Sequence, residues 1–92
     1  MTDAAPLAEL RKAIDAIDSE ILRLLGERAS LVVRLGAIKR ASGLPIHDPG
    51  RERAILDRLS RGAPEPLDAG TVRRVFERII DESRRIELGR ER

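Results

Sequence analysis

A charged side chain interrupts the apolar seam of the first predicted helix, and its position points to ligand chemistry. The seam advances in alternating steps of three and four residues, through Leu7, Leu10, Ile14, Ile17, Ile21, Leu24, Leu31, Leu35 and Ile38. Such spacing buries one stripe of a helix against partner helices, and Arg28 stands at the missing step. Because a buried charge is costly unless it is paired, Arg28 predicts either a structural carboxylate partner or an anionic ligand held between helices.

Two further cations could act with Arg28. Lys39 follows it by about three helical turns, so both side chains share a face with backbones roughly 16 Å apart and could clamp a small dianion. Arg11 precedes Arg28 by about 25 Å of helix and is rotated by roughly 100° around the axis, so it cannot serve the same pocket within one chain. In an antiparallel dimer, however, Arg11 of a second copy could cross over to that pocket.

Each polar position also has a purely structural interpretation. Arg11 and Lys39 could belong to a solvated helix face with i, i+4 pairs. Asp48 could be only an N-cap, and Glu52 only a first-turn acid favoured by the helix dipole.

The same holds near the carboxyl end of the chain. Ser83 could bond back to the carbonyl of Ile79, and Glu87 would be merely solvated if the last helix frays. We assign no role to His47, a lone histidine in a loop.

The elements that must position these side chains are three helices, and we find no strand pattern. We expect them over about residues 7–41, 48–61 and 68–88, in a single all-α domain of residues 1–92. Asp48 before Pro49, and Asp68, are the predicted N-caps. The first helix, at roughly 50 Å, is too long for one compact globule of this size. Self-association is therefore expected.

Composition narrows the function classes. The chain has 18 basic and 16 acidic residues among 92, with one Phe and no Trp, Tyr or Cys. Near-balanced charge without an aromatic platform argues against a nucleic-acid partner, and a chain without cysteine has no thiolate chemistry or zinc-cysteine cluster. With no signal peptide and no apolar run of membrane-spanning length, we expect a cytoplasmic protein without a membrane partner.

Several ordered stretches together resemble the all-helical AroQ class of chorismate mutases over about residues 7–88. They are Leu10-Arg11-Lys12 with Ile14 and Asp18, Glu27-Arg28, Gly36 to Lys39, Asp48 to Arg53, and Ile79 to Ser83. The resemblance implies an intertwined homodimer with three helices per chain, in which the long first helices span both subunits. It also implies two active sites, each of which borrows one arginine from the partner chain.

Carried over by position, the resemblance implies that Arg28 and, from the partner chain, Arg11 hold the two carboxylates of chorismate. Lys39 would bind a carboxylate and the ether oxygen. The implied reaction is the Claisen rearrangement of chorismate to prephenate, which needs no nucleophile, metal or cofactor. The protein must hold the diaxial conformer and stabilise charge on the ether oxygen; a well-aimed donor contributes about 3 to 4 kcal/mol, so Lys39 should matter most.

The remaining implied contacts come from the second and third helices. Asp48, through its backbone, and Glu52 would meet the ring hydroxyl, and Ser83 would touch the ring carboxylate. Arg51 matches the motif as a supporting charge. Glu87 departs from the family, because many bacterial members carry glutamine there as a second donor to the ether oxygen. A carboxylate cannot donate, so this role requires a protonated Glu87 and predicts catalysis that weakens as pH rises.

Other functions stay open at this point. A relative of the same fold could act as a mutase on 4-amino-4-deoxychorismate or as a lyase on isochorismate; Glu52 suits a ring hydroxyl, although it would also accept from an amine. A non-catalytic dimerisation module, or an activator of a partner enzyme, would tolerate loss of Arg28 and Lys39. An anion-binding or nucleic-acid-binding helical dimer would lose affinity steeply with salt.

Overall fold

The computed structural model describes residues 4–89, which form three α-helices and, within that range, no strand. Helix α1 covers Ala4–Ser42, α2 covers Pro49–Arg61 and α3 covers Ala69–Glu87. The predicted all-α fold with a very long first helix is confirmed. Helix α1 begins three residues before the predicted start, because Pro6 lies in the first turn, where no backbone N–H is needed. None of these helices is long and apolar enough to cross a membrane.

Side-chain caps fix where the second and third helices begin. Asp48 Oδ1 accepts a hydrogen bond from the Arg51 backbone N–H at 3.1 Å, with Pro49 in the first helical position. Asp68 Oδ1 accepts from the Thr71 backbone N–H at 2.7 Å, and this bond holds the pKa of the Asp68 carboxyl below its usual value. Both predicted N-caps are confirmed.

A glycine ends the first helix. Gly43 adopts a φ of +70°, in the left-handed region that favours glycine. The chain then turns so that the Leu44 backbone N–H donates to the Lys39 carbonyl at 2.8 Å. This bond satisfies a carbonyl of the last helical turn and directs the chain toward α2.

The described chain divides into two units, one ending at Leu31 and one beginning at Val32. In the first unit, the seam of α1 is open to solvent, with side chains 48% to 64% exposed: Leu7, Leu10, Ile14, Ile17, Ile21, Leu24 and Leu31. Arg28 is half-buried and Arg11 is exposed. A contiguous apolar stripe of this length on one helix marks an interaction surface.

In the second unit, α2 and α3 pack against each other around Ile55, Val72 and Ile80, which are buried. An ion pair between Asp57 and Arg73, at 2.6 Å, also joins these two helices. Val75, which the apolar pattern of the third helix places inward, is instead 52% exposed. It lies at the edge of the stripe that α3 presents to α2, so it stays in solvent.

The last turn of α3 rests on the part of α1 that belongs to the second unit. Gly36 is the buried residue of α1, and a Cβ added there would lie 2.7 Å from the backbone oxygen of Glu87. One turn later, Arg40 Nη1 donates to that same oxygen at 2.8 Å. Two contacts therefore hold the end of α3 in place. Gly36, which has no side chain, lets the Glu87 backbone approach closely, and Arg40 donates to the Glu87 carbonyl.

We predict that Gly36→Ala lowers the free energy of unfolding by about 1 to 2 kcal/mol, because the new methyl group collides with backbone and forces α3 to shift. Gly26 on the same helix has nothing within 4 Å of the corresponding position. Gly26→Ala should therefore raise stability by up to about 1 kcal/mol through helix propensity. Urea unfolding of both variants measures this, and equal gains from the two substitutions would contradict the packing at Gly36.

Candidate active site

The second unit contains five of the seven predicted ligand-contacting residues: Lys39, Asp48, Glu52, Ser83 and Glu87. Arg11 and Arg28 lie on the part of α1 in the first unit. The site is therefore described below from the contacts that the second unit makes.

A buried ion pair joins α1 to the end of α3. Lys39 Nζ lies 2.7 Å from Glu87 Oε2, with the two side chains 15% and 10% exposed. The Lys39 ammonium also donates to the carbonyl of Ile46 at 3.0 Å. An ammonium has three donors, so these two contacts fix its position and leave donor capacity for a ligand.

The burial of Glu87 excludes one structural interpretation of this residue. As a whole residue Glu87 is 8% exposed, so it is not a solvated side chain at a frayed helix end. The contacts of its backbone with Gly36 and Arg40 explain this burial, since they seat the last turn of α3 on α1.

One oxygen of the Glu87 carboxyl is incompletely satisfied. Oε2 is buried and makes no hydrogen bond with the described residues, so Lys39 contacts it as an ion pair without directed hydrogen-bond geometry. Native structures pair nearly all buried polar atoms, so an incompletely bonded one calls for an explanation. This oxygen has the capacity to accept from an entering donor or, when protonated, to donate.

Glu52 is held by a residue that the sequence did not single out. Arg84 Nη2 lies 2.9 Å from Glu52 Oε1 and 3.0 Å from Oε2, and Arg84 Nε donates to Oε2 at 3.2 Å. Glu52 therefore does more than favour the helix dipole, because it connects the first turn of α2 to the last turns of α3. The sequence does not predict this contact of Arg84, because basic residues are common in the last turn of any helix.

Weaker charge contacts surround this pair. His47 Nε2 lies 3.7 Å from Glu52 Oε1, and Asp81 Oδ1 lies 3.5 Å from Arg84 Nη2. On its other side, Glu52 lines a cavity of about 320 Å³ between α2 and α3, together with Leu56, Glu77, Ile80 and Asp81. The Glu52 carboxylate thus has a guanidinium, that of Arg84, and two carboxylates, those of Glu77 and Asp81, as neighbours.

The remaining predicted residues have local partners. Ser83 Oγ donates to the Ile79 carbonyl at 2.7 Å, which is the structural interpretation, yet a hydroxyl oxygen bonded in this way still accepts from a ligand. Asp48 caps α2 through Oδ1, and its backbone carbonyl accepts from the Glu52 N–H at 3.1 Å. Arg51 is exposed in the first turn of α2.

These side chains are suited to binding and orienting a polar ligand rather than to attacking it. They offer an ammonium, a buried carboxyl, a clamped carboxylate and a hydroxyl. In residues 4–89 no three His, Asp or Glu side chains are grouped so as to hold a metal ion. Such a set suits a reaction that needs positioning and stabilisation of developing charge.

Comparison with known proteins agrees with this geometry. The chain is 43% identical over 84 residues to the bifunctional chorismate mutase/prephenate dehydratase of Escherichia coli, covering 90% of this chain and 22% of that protein. It is 39% identical over 82 residues to the chorismate mutase of Methanocaldococcus jannaschii, covering 88% and 83% of the two chains. The chain thus spans only about a fifth of the bifunctional relative.

A solved structure shares the fold. The crystal structure of chorismate mutase from Helicobacter pylori in complex with prephenate superposes with a TM-score of 0.86 at 30% identity, covering 94% of this chain and 93% of that one. The family model described as chorismate mutase type II matches residues 10–88. This chain therefore belongs to the chorismate mutase type II family.

Proposed function

We propose that this chain is a chorismate mutase that converts chorismate to prephenate and works as a homodimer. The observation that carries the proposal is the buried Lys39–Glu87 pair, in which a fixed ammonium meets an incompletely bonded carboxyl oxygen. Family membership and a similar protein solved with prephenate supply the substrate class.

The proposed reaction is a single pericyclic step. The ether C–O bond of chorismate breaks as a new C–C bond forms, and negative charge develops on the ether oxygen. Lys39 donates to that oxygen; its ammonium is already oriented by Ile46 and shielded from water. Donors that are pre-oriented in this way are worth about 3 to 4 kcal/mol of barrier, because they need no reorganisation as the charge grows.

The two substrate carboxylates require further cations. We propose Arg28 for one and Arg11 of a second copy for the other, with the Ser83 hydroxyl and the Asp48 backbone as polar contacts and Arg51 as a supporting charge. Held by both ends, the substrate is restricted to its reactive conformer, which lowers the entropic part of the barrier.

A second copy also accounts for the exposed seam. The apolar side chains of the first unit are 48% to 64% exposed in one chain, and the same helix carries Arg11. An intertwined dimer would bury the seam and deliver that arginine to the partner's site in one step. Apolar burial at about 25 cal/mol per Å² supplies the driving force for this association.

Glu87 is the second proposed donor. In its ionised form the carboxylate forms an ion pair with Lys39 and repels a dianionic substrate, whereas in its protonated form it donates to the ether oxygen alongside Lys39. Activity should therefore depend on a proton at this residue.

The first test follows loss of chorismate absorbance with purified protein and identifies the product by chromatography. We expect prephenate, and we expect Lys39→Ala to lower kcat by about 10²- to 10³-fold, as for loss of an oxyanion donor. Arg78→Ala is the control, because its side chain is 77% exposed and pairs only with nearby Glu82 in the contacts described. A folded protein that forms no prephenate would refute the proposed function.

The role of Glu87 is tested by its pH profile. We expect the parent to turn over faster at about pH 5 than at about pH 8, because the donor form needs a proton, and Glu87→Gln to flatten that dependence, since an amide donates at either pH. Superimposable profiles for the two proteins would remove Glu87 from proton donation.

Exchange of Arg11 across a dimer is tested by mixing two inactive variants. Arg11→Ala and Lys39→Ala each damage both sites of a homodimer. A mixed dimer instead combines Lys39 of one chain with Arg11 of the other in one intact site. Random re-association should restore about a quarter of parental activity, because half the dimers are mixed and each has one working site of two. Activity that stays at the level of the separate variants would show that Arg11 serves its own chain or no site.

A further inference from the structure

We infer that Arg84 is a positioning residue that makes the site select a neutral hydroxyl over a cationic amine on the ligand ring. This inference rests on the proposed function and adds to it the basis of substrate choice. It is carried by the two-oxygen contact between Arg84 and Glu52, the residue proposed to meet the ring substituent.

The geometry fixes Glu52 in one orientation. Arg84 engages both carboxylate oxygens, at 2.9 Å and 3.0 Å through Nη2 and at 3.2 Å through Nε. The two side chains are 23% and 31% exposed, so the pair is partly withdrawn from water. A paired, partly buried guanidinium and carboxylate hold their geometry better than exposed ion pairs do.

The acceptor capacity of Glu52 survives this contact. A carboxylate has about four lone-pair positions on its two oxygens, and Arg84 occupies only part of them. Glu52 thus retains acceptor positions for a hydroxyl donor. Because Arg84 supplies the positive charge that compensates the Glu52 carboxylate, the ligand substituent does not need to be cationic.

The net charge of the Arg84–Glu52 pair then favours one kind of ring substituent over another. A neutral hydroxyl gains a hydrogen bond to Glu52 and meets no net charge. An ammonium gains the same bond but also meets the positive charge of Arg84, whose guanidinium contacts both oxygens of that carboxylate. Without Arg84, the isolated Glu52 charge would attract an ammonium more strongly than a hydroxyl.

Three titratable groups near this pair modify the charge balance less. The Asp81 carboxylate lies 3.5 Å from Arg84 Nη2 but its side chain is 59% exposed, and His47, 3.7 Å from Glu52, is 57% exposed. Glu77 lines the neighbouring cavity and is exposed. Solvent screens all three more strongly than it screens Arg84.

The test compares kcat/KM for chorismate and for 4-amino-4-deoxychorismate in the parent, Arg84→Gln and Arg84→Lys. We expect Arg84→Gln to shift the ratio toward the amine by about tenfold or more, mainly through KM. Arg84→Lys keeps the charge without the two-pronged contact, so its ratio should lie between the others. It also carries the test if the glutamine variant does not fold.

Two controls separate specificity from structure. Arg85→Gln removes a neighbouring arginine whose side chain is 66% exposed and pairs with Glu82, and its ratio should equal that of the parent. Adding Glu52→Gln to the Arg84→Gln variant should return the ratio toward the hydroxyl substrate, because it removes the uncompensated carboxylate charge that attracts the ammonium.

The outcomes are distinct. Equal losses for both substrates in Arg84→Gln would show that Arg84 only supports the fold and would overturn this inference, while chorismate turnover by the parent still upheld the proposed function. A parent that converts neither substrate would overturn both. A shift toward the amine that depends on Glu52 supports the assignment of Arg84.

Discussion

The seating of the last turn of α3 on Gly36 is the contact on which the rest of the site depends. Where Gly36 has no side chain, the Glu87 backbone approaches closely enough for Arg40 to donate to its carbonyl. That approach brings the Glu87 carboxyl against Lys39 in a setting that water reaches poorly. A methyl group in that space would separate the donor and the carboxyl that the proposed chemistry brings together.

In the proposed reaction the Lys39 ammonium has two possible anionic partners, the Glu87 carboxylate and the ether oxygen of the substrate. A buried carboxylate needs a cation for stability, whereas an ether oxygen with developing charge needs that cation as its own donor. The ion pair meets the first demand when no substrate is present. In the proposed reaction the ether oxygen makes the second demand, so Lys39 would exchange one anionic partner for another, and a proton on Glu87 would remove the cost of leaving that carboxyl unpaired.

Local sequence signals predicted the elements well, because caps and breakers act within a few residues. Asp48 and Asp68 each fix the start of a helix through a side-chain oxygen, and Gly43 ends α1 with a positive φ that a residue without a side chain adopts readily. The contacts of Arg84 and Arg40 could not be predicted in this way. Their partners lie 32 and 47 residues away, and no periodicity distinguishes a clamping arginine from a solvated one. Val75 shows the same limit, since an apolar residue at the margin of a stripe is buried only if a neighbour reaches it.

The solvent-exposed stripe of α1 has a consequence for how the chain reaches its working form. A helix whose apolar face has no cover within its own unit has little to stabilise it beyond local propensity. In the proposed dimer, completion of this helix and association become a single event, so assembly is second-order in chain concentration. Dilution would then remove the structure of this helix and the activity together. Newly made chains would expose an aggregation-prone apolar surface until they bound a second copy.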